Sequence, residues 1–389
     1  MIALDLLILA IIAPVAIVTA FFALEVFVGL VPSGRKVRGS ASPKTAVVIP
    51  AHDEAAVIGQ TLSGLPRSGS EFFVLVVADN CRDDTAAIAR FAGAQVIVRD
   101  DLENRGKGFA LAAAREHLRA HVPDVVVVLD ADCRIDRLSL SDLSEHAFLS
   151  RRACQAVNLL APDLAAPPMV QISNFAFMIK NLIRQRGLQR LAGRAHLTGT
   201  GMALPWHVFE SAELGGSNIV EDLALGLDLA RQAASPLFVE SANVWSPPAT
   251  AGGTLVQRRR WEGGYVATAL KQAPHAFVRS LVRFDLSGVF GALDLAVPPL
   301  SLLVLLNALA FLLGIAVALL GGWQWPLLLQ AAVAAVAFVA LVLAWTREGR
   351  SFASGATLLR LPLYVLWKLP IYLGLVRRGA PKEWLRTGR

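Results

Sequence analysis

Cysteine is scarce in this 389-residue chain: the three present, Cys81, Cys133 and Cys154, have no metal-type spacing. That argues against a thiolate metal site and reads as reduced, structural thiols. Histidine is also sparse, with seven residues, so a metal held here would meet carboxylate oxygen rather than imidazole. A basic n-region is missing from the start, Met-Ile-Ala-Leu-Asp, and no small-residue cleavage site precedes Arg35. This implies a retained anchor rather than a cleaved signal peptide. Two nucleotide-binding signatures are missing as well. Pro-Ala-His-Asp-Glu follows the first apolar strand where a dinucleotide fold needs G-x-G-x-x-G, and Asn104-Arg105-Gly106-Lys107-Gly108 lacks the first glycine and the hydroxyl residue of a P-loop.

Apolar residues, by contrast, make up 55% of the chain and concentrate at its two ends. No charge occurs from Leu6 to Leu24, enough helix to cross a bilayer core of roughly 30 Å even with Pro14 inside it. Arg35, Lys36, Arg38 and Lys44 follow, in a Gly/Ser-rich linker, and place the next domain in the cytoplasm by the positive-inside rule. Leu295 to Trp323 and Gln324 to Thr346 are also uncharged, with Gly321-Gly322 between them, which predicts a helical hairpin entering from and returning to the cytoplasm. Leu358 to Val376 is interrupted by Arg360, Pro362, Lys368 and Pro370. It reads as an interfacial or re-entrant helix in preference to a third span, with Tyr364, Trp367 and Tyr372 at headgroup level. The net charge of +7 suits anionic lipid and nucleotide diphosphates, and no nucleic-acid partner is implied.

Between the apolar ends the pattern alternates strand and helix. Thr45 to Pro50, Phe72 to Ala78, Gln95 to Arg99 and Val125 to Leu129 read as strands, with helical spacing over Ala55 to Leu65, from an Asp83-Asp84-Thr85 cap to about Ala92, and from Gly106 to about Leu118. This order predicts a largely parallel, doubly wound α/β nucleotide-binding sheet. Right-handed crossovers then deliver Asp53/Glu54, Asp79 and Asp130/Asp132 to one carboxyl edge, where such sheets bind ligands. In Asp130-Ala131-Asp132 the carboxylates project to the same side of an extended chain and repel unless a cation sits between them. Taken alone, the pair is either a solvated acidic turn or a seat for a divalent metal carrying a phosphorylated ligand.

Four segments together resemble successive motifs of membrane-bound family 2 glycosyltransferases: Val-Val-Ile-Pro-Ala-His-Asp-Glu (47–54), Val-Val-Ala-Asp-Asn-Cys-Arg-Asp-Asp-Thr (76–85), Asn-Arg-Gly-Lys-Gly-Phe-Ala-Leu (104–111) and Leu-Asp-Ala-Asp (129–132). Thr-Gly-Thr-Gly-Met (198–202), Val-Glu-Asp (220–222) and Gln-Arg-Arg-Arg-Trp (257–261) continue the series in order. The last is similar to the Q-x-x-R-W signature of cellulose, hyaluronan, chitin and poly-N-acetylglucosamine synthases and, in related form, of ceramide glucosyltransferases. The resemblance spans about residues 45 to 265 and implies a GT-A-type nucleotide-sugar fold.

Sugar transfer from a nucleotide diphosphate needs charge stabilisation on the departing diphosphate, a base for the acceptor hydroxyl and aligned geometry. The resemblance implies Asp132 as ligand of Mg²⁺ or Mn²⁺, a D-x-D site, and Asp130 as a ribose or donor-sugar contact. Asp79 would meet the uracil N–H of a UDP-sugar, and Pro50, Ala51 and Glu54 would frame the nucleoside. Lys107 is either a second donor contact or a solvated helix-start lysine. Asp222 is the candidate general base in the first turn of a helix capped by Ser217 or Asn218, with Glu221 beside it to orient it. One base acting opposite the leaving group implies an inverting displacement. Gln257 and Arg260 would serve the diphosphate, Trp261 the acceptor sugar by stacking, and Gly199 and Thr200 the acceptor side. Arg258 and Arg259 read as interfacial charges, and Tyr265, Lys271, Phe277, Arg279, Arg283 and Phe284 as mixed positions of interfacial helices.

The expected layout is an anchor and start of a linker at 1–34, a cytoplasmic catalytic domain at 35–255, a Q-x-x-R-W loop and interfacial helices at 256–294, and a carboxyl-terminal membrane part with a basic tail at 295–389. The acceptor is a growing polysaccharide, which would need export or polymerisation partner proteins, or a lipid-linked glycan, or a single lipid such as ceramide or polyprenyl phosphate. A non-catalytic nucleotide-sugar-binding scaffold and a transporter are the readings from other classes.

Overall fold

The computed structural model describes residues 2–33, 41–66, 71–215, 221–247 and 251–379, with the side chains at 2–4, 251–257, 260, 376 and 378 outside that description. Most of the linker, the expected caps Ser217 and Asn218, and the basic tail beyond Gly379 thus lie outside the described residues. The chain begins with α1 (Ile2–Gly29), β1 (Thr45–Ala51), α2 (Ile58–Gly64), β2 (Phe72–Asp79), α3 (Thr85–Phe91), β3 (Gln95–Arg99), α4 (Lys107–Leu118) and β4 (Val125–Val128). Next come β5 (Arg134–Ile135), α5 (Arg137–Ser150), β6 (Cys154–Leu160) and α6 (Pro168–Met178), which passes through a π-helical turn, Ile179–Arg184, into α7 (Gln185–Ala192). β7 (Met202–Pro205), α8 (Trp206–Ser211), α9 (Glu221–Arg231) and β8 (Leu237–Ser246) complete the sheet. Helices follow: α10 (Ala251–Val282), α11 (Leu286–Ala296), α12 (Leu300–Leu319), α13 (Trp325–Ala344) with a π-helical end, α14 (Gly355–Leu358) and α15 (Leu361–Arg378).

Two compact units result, one of Pro32–Ala161 with Gly193–Pro248, the other of Met1–Val31, Pro162–Ala192 and Ala249–Arg389. The first carries an eight-stranded sheet in the order β3-β2-β1-β4-β7-β6-β8-β5. Strands β3, β2, β1 and β4 are mutually parallel, and β7 runs antiparallel to β4 and β6. Alternate residues feed opposite cores: Val47, Ile49, Val125 and Val127 one, Ala46, Val48, Val126 and Val128 the other. Burial on both faces explains the uninterrupted valines, each contributing roughly 1.5–3 kcal/mol of apolar burial. The doubly wound expectation therefore holds. Helix boundaries shift slightly: α2 begins at Ile58, and Asp83 rather than Asp84 supplies the side-chain bond at the start of α3, its carboxylate accepting from Thr85 N–H at 3.0 Å.

Among the described residues of the second unit, three helices are long and apolar enough to cross a membrane, Asp5–Gly29, Leu300–Leu319 and Trp325–Gly349, while Leu361–Leu375 is shorter. The expected hairpin starts at Leu300 rather than Leu295, because Pro298-Pro299 separate α12 from α11. Between these helices Asn307 donates to Thr19 Oγ1 at 2.9 Å and Gln330 to Asn307 Oδ1 at 2.6 Å.

One boundary is corrected. Pro162–Ala192 belongs with the apolar helices, not with an unbroken domain over 35–255. Arg184 explains the placement, for it pairs with Glu25 of α1 at 2.8 Å and with Asp294 of α11, all three buried. Gly187 permits it: a Cβ there would lie 2.2 Å from the Glu25 carbonyl oxygen, so only glycine lets α7 meet α1 backbone to backbone.

Candidate active site

The carboxyl edge of the parallel strands gathers the expected groups. β4 is wholly buried and ends at Val128; the next residue, Leu129, donates its N–H to Val48 O at 3.0 Å before the chain turns out into Asp130-Ala131-Asp132. Lys107, first residue of α4, crosses to this turn; its ammonium donates to the Asp130 carboxylate and, at 2.6 Å, to Gly199 O. Its side chain is only 18% exposed, so the solvated alternative for Lys107 is set aside. Gly199 has φ +85°, and a Cβ added there would sit 3.2 Å from Asp222 Oδ2 and 3.8 Å from Lys107 Nζ. The loop Thr198–Gly201 thus lies against the first turn of α9, where Glu221 and Asp222 stand. Lys107, Asp130, Gly199 and Asp222, spread over 115 positions of sequence, converge.

Electrostatics follows from that crowding. Burial works against the Lys107 charge, but Asp130, then Glu221 and Asp222, outweigh it and raise its pKa, so it is a fixed cation. Burial, reinforced by the neighbouring Asp222 charge and opposed by Lys107, pushes Glu221 up to about 7.

The loop that carries Gly199 is held by buried amides that the sequence did not single out. Gln155 donates to Thr200 O at 2.9 Å and accepts from Thr198 N–H at 2.9 Å, while Asn158 reaches Thr198. Thr200, expected on the acceptor side, is 2% exposed, and its hydroxyl accepts from Asp130 N–H at 3.0 Å. That expectation is corrected: Thr200 braces the acidic turn from below and presents no surface to an acceptor.

At the neighbouring strand ends, Asp79 accepts from Arg99 at 2.6 Å and from Asn80 at 3.1 Å, all on Oδ1. The pair is fixed by register, since Asp79 stands opposite Arg99 across β2 and β3. Arg99 was legible in principle as a cation ending the next strand. The loop after Pro50 and Ala51 is clipped by short bonds: Glu54 N–H to Thr85 Oγ1 at 2.8 Å, Ala55 N–H to Asp83 at 3.0 Å and Arg82 N–H to Asp53 at 2.7 Å. These bonds tie the turn after β1 to the segment that opens α3.

Ligand atoms of Asp130, Asp132 and Cys133 lie within 4.8 Å of one another. Burial, with the Asp130 and Asp132 charges added, holds the Cys133 thiol well above its usual range, and its sulfur lies 3.1 Å from Ser246 Oγ. The two carboxylates offer oxygen donors of the kind that suit a hard cation such as Mg²⁺ or Mn²⁺.

In the other unit, residues 257–261 lie on α10 and not on the expected loop. The helix starts beyond Pro248, and no further proline occurs until Pro274, so the glycines at 252 and 253 are carried along. The side chains of Gln257 and Arg260 lie outside the described residues. Arg258, read from sequence as an interfacial charge, is 7% exposed; it donates to Ser173 Oγ at 2.8 Å and to Ser173 O at 3.1 Å. Its guanidinium lies 5.0 Å from the Phe177 ring and 5.4 Å from Trp261, and those rings stack at 5.7 Å. Glu262 accepts from Lys368, itself 1% exposed, and from Tyr372 at 3.0 Å. Tyr265, one turn on, donates to carbonyls at the end of α11 at 3.2 Å. Spacing of three and four thus puts Arg258, Trp261, Glu262 and Tyr265 on the packed face of α10.

Residues 43–264 match the family described as "Glycosyltransferase like family 2". A probable glycosyltransferase of Bacillus subtilis, YdaM, is 27% identical over 63% of this chain and 61% of its own length. The uncharacterized protein MJ1222 of Methanocaldococcus jannaschii is 38% identical over 22% of this chain and 34% of its own, so the chain spans between about a third and three fifths of these relatives. Among solved structures, the mannosyltransferase PcManGT of Pyrobaculum calidifontis, in complex with GDP-Man and Mn²⁺, aligns over 92% of this chain and 99% of its own at 17% identity, with a TM-score of 0.52. That likeness is one of fold.

Proposed function

The chain belongs to glycosyltransferase-like family 2, and from that premise we propose that it moves a sugar from a UDP-sugar to a membrane-associated acceptor, with inversion. The observation that carries the proposal is the convergence of Lys107, Asp130, Gly199 and Asp222 at one sheet edge. Asp132, with Asp130 beside it, would hold Mg²⁺ or Mn²⁺, which supplies Lewis-acid neutralisation of the diphosphate when bound. Because Asp130 is engaged by Lys107, it is assigned to the donor, and Asp132 to the metal. Asp79, positioned by Arg99, is assigned to the base and the Pro50–Glu54 turn to the nucleoside.

Asp222 takes the proton of the acceptor hydroxyl, which strengthens the nucleophile as the sugar–phosphate bond breaks on the opposite side. An α-linked donor then gives a β-linked product. Lys107 stabilises the developing negative charge without itself titrating. Gln257 and Arg260 are assigned to the diphosphate and Trp261 to the acceptor, following the synthases that share Q-x-x-R-W. Within this reading a growing polysaccharide and a lipid-linked acceptor remain the two acceptor classes. Three candidate spans among the described residues favour the lipid-linked one, which needs lateral access and no pore in a single chain. The catalytic unit would then face the cytoplasm at the inner membrane.

Purified full-length protein incubated with common UDP-sugars should release UDP only when Mg²⁺ or Mn²⁺ is present. Asp222→Asn should lower turnover by about 10²- to 10⁴-fold while leaving UDP binding intact. UDP binding with no metal-dependent release from any donor would overturn the proposal.

A further inference from the structure

One groove in the helical unit has no part in the transfer chemistry. It runs between α1 and α13, holds about 330 Å³, and is lined by Ala20, Leu24 and Phe27 on the first helix and Ala332, Val333 and Val336 on the second. Alanine makes the hollow. Ala20 stands one turn from Ile17 and from Leu24, and Ala332 one turn from Leu329 and from Val336, all exposed, so each alanine is a dip in an apolar ridge. A helix taken as a cylinder about 10 Å across fills roughly 400 Å³ per 5.4 Å turn, more than the whole groove, which suits a single hydrocarbon chain instead.

Charge takes over just past Phe27. Three successive carbonyls at the end of α1 accept from three different arginines: Val28 O from Arg190 at 2.5 Å, Gly29 O from Arg186 at 2.9 Å and Leu30 O from Arg347 at 3.2 Å. Cations at a helix carboxyl end are favourable in themselves, and Arg186 is a buried cap that also pairs with Glu348 at 3.4 Å. Arg190 and Arg347 differ: both are exposed, and among the described residues neither meets a carboxylate. Arg347 lies on the π-helical end of α13, within about 20° of Val336 around the axis and about 16 Å further along it, and so extends the groove side of that helix.

We propose that the groove between α1 and α13 is a binding site for one anionic phospholipid, an acyl chain lying over Ala20 and Ala332 and the phosphate against Arg190 and Arg347. Charge sets the occupant. Residues 185–192 and 345–350 carry four arginines against one acid, Glu348, which Arg186 already holds, while Glu25, one turn back on α1, is buried against Arg184. Guanidinium donors fit a phosphate in bidentate fashion, and the uncompensated positive charge favours a headgroup of net negative charge over a zwitterionic one. The site rests on reading α1 and α13 as spans, not on sugar transfer, and stands whether or not the chain is active.

The test uses the whole chain in detergent, offered equal amounts of phosphatidylglycerol and phosphatidylcholine and weighed with its retained lipid by native mass spectrometry. With each arginine near the headgroup worth about fivefold, phosphatidylglycerol should be retained in preference by about 25-fold. Arg190→Gln with Arg347→Gln should abolish the preference. Arg350→Gln, which removes an exposed charge of the same sign two turns or less away, should keep it. Ala20→Phe with Ala332→Phe fills the groove and should abolish retention of either lipid. Equal retention of the two lipids by the wild type overturns the proposal, even where a variant does not fold, and so does a preference that Arg350→Gln removes as fully as the paired substitution. Displacement of the lipid by inorganic phosphate would show a site for a free anion, and a dimer dissociated by the alanine substitutions would show a second copy in the groove; either result also overturns it.

Discussion

The sheet edge and α10 hold their functional side chains by opposite means. At the sheet edge, groups are delivered by backbone: parallel register brings Asp79 level with Arg99 and turns Asp130 out of a buried strand toward Lys107. On α10 they are held by side chains from far away in sequence, Trp261 between Phe177 and Arg258, and Glu262 against Lys368. The difference teaches that a site built on strand ends tolerates loss of a neighbour in geometry but not in charge. A site built on packed side chains is exposed to loss of either.

Lys107→Met tests the first half of that contrast and carries the largest expected effect. It removes a cation shared by Asp130, Glu221 and Asp222 and should lower turnover by about 10²- to 10³-fold, with the melting temperature little changed. An unchanged rate would mean that the lysine only ties α4 to the turn.

Arg258→Met tests the second half. Loss of two buried hydrogen bonds and a cation–π contact should let the Trp261 ring wander, raising the KM for acceptor supplied as membrane lipid extract by about tenfold. UDP release to water should stay as in the parent, and Arg258→Lys should recover part of the loss. An equal fall in both reactions would show that Arg258 serves folding alone.

The smallest effect concerns pH. Glu221 is raised to about 7 in the fold from an ordinary value of 4.5, so the folded state binds the proton more tightly than the unfolded one. Its contribution favours the fold at low pH and is lost as pH rises through 4.5 to about 7. Thermal unfolding of Glu221→Gln, measured from pH 5 to 8, should therefore decline less with pH than the parent, by a few kcal/mol at most. Parallel curves would contradict the raised pKa of Glu221.

These two regions were unequally legible from sequence. Uniform valines before Asp130-Ala131-Asp132 signal a doubly buried strand with its acids at the open end, and alternation of strand and helix is enough to place Asp79 and Lys107 near them. Short-range pattern suffices there. Arg258 could not be distinguished from a lipid-facing arginine, because its partners Ser173 and Phe177 lie more than 80 positions earlier in a segment expected in the catalytic domain. The same limit hid Lys368 and the transfer of Pro162–Ala192 to the helical unit, which rests on the buried pairing of Arg184 with Glu25 and Asp294. Gly252 and Gly253 after Pro247 suggested a loop, yet a helix whose face is packed by Arg258, Glu262 and Tyr265 outweighs the roughly 1 kcal/mol that each glycine costs.

The claim at the centre is that the acidic turn after β4 is a metal seat completed by a nucleotide diphosphate. Mn²⁺ binding followed by electron paramagnetic resonance, with and without UDP, tests it directly. Wild type should bind Mn²⁺ with UDP present, and Asp132→Asn should weaken that binding by at least about 100-fold while keeping its fold, as expected for loss of a metal carboxylate. Equal Mn²⁺·UDP binding by both proteins would contradict it.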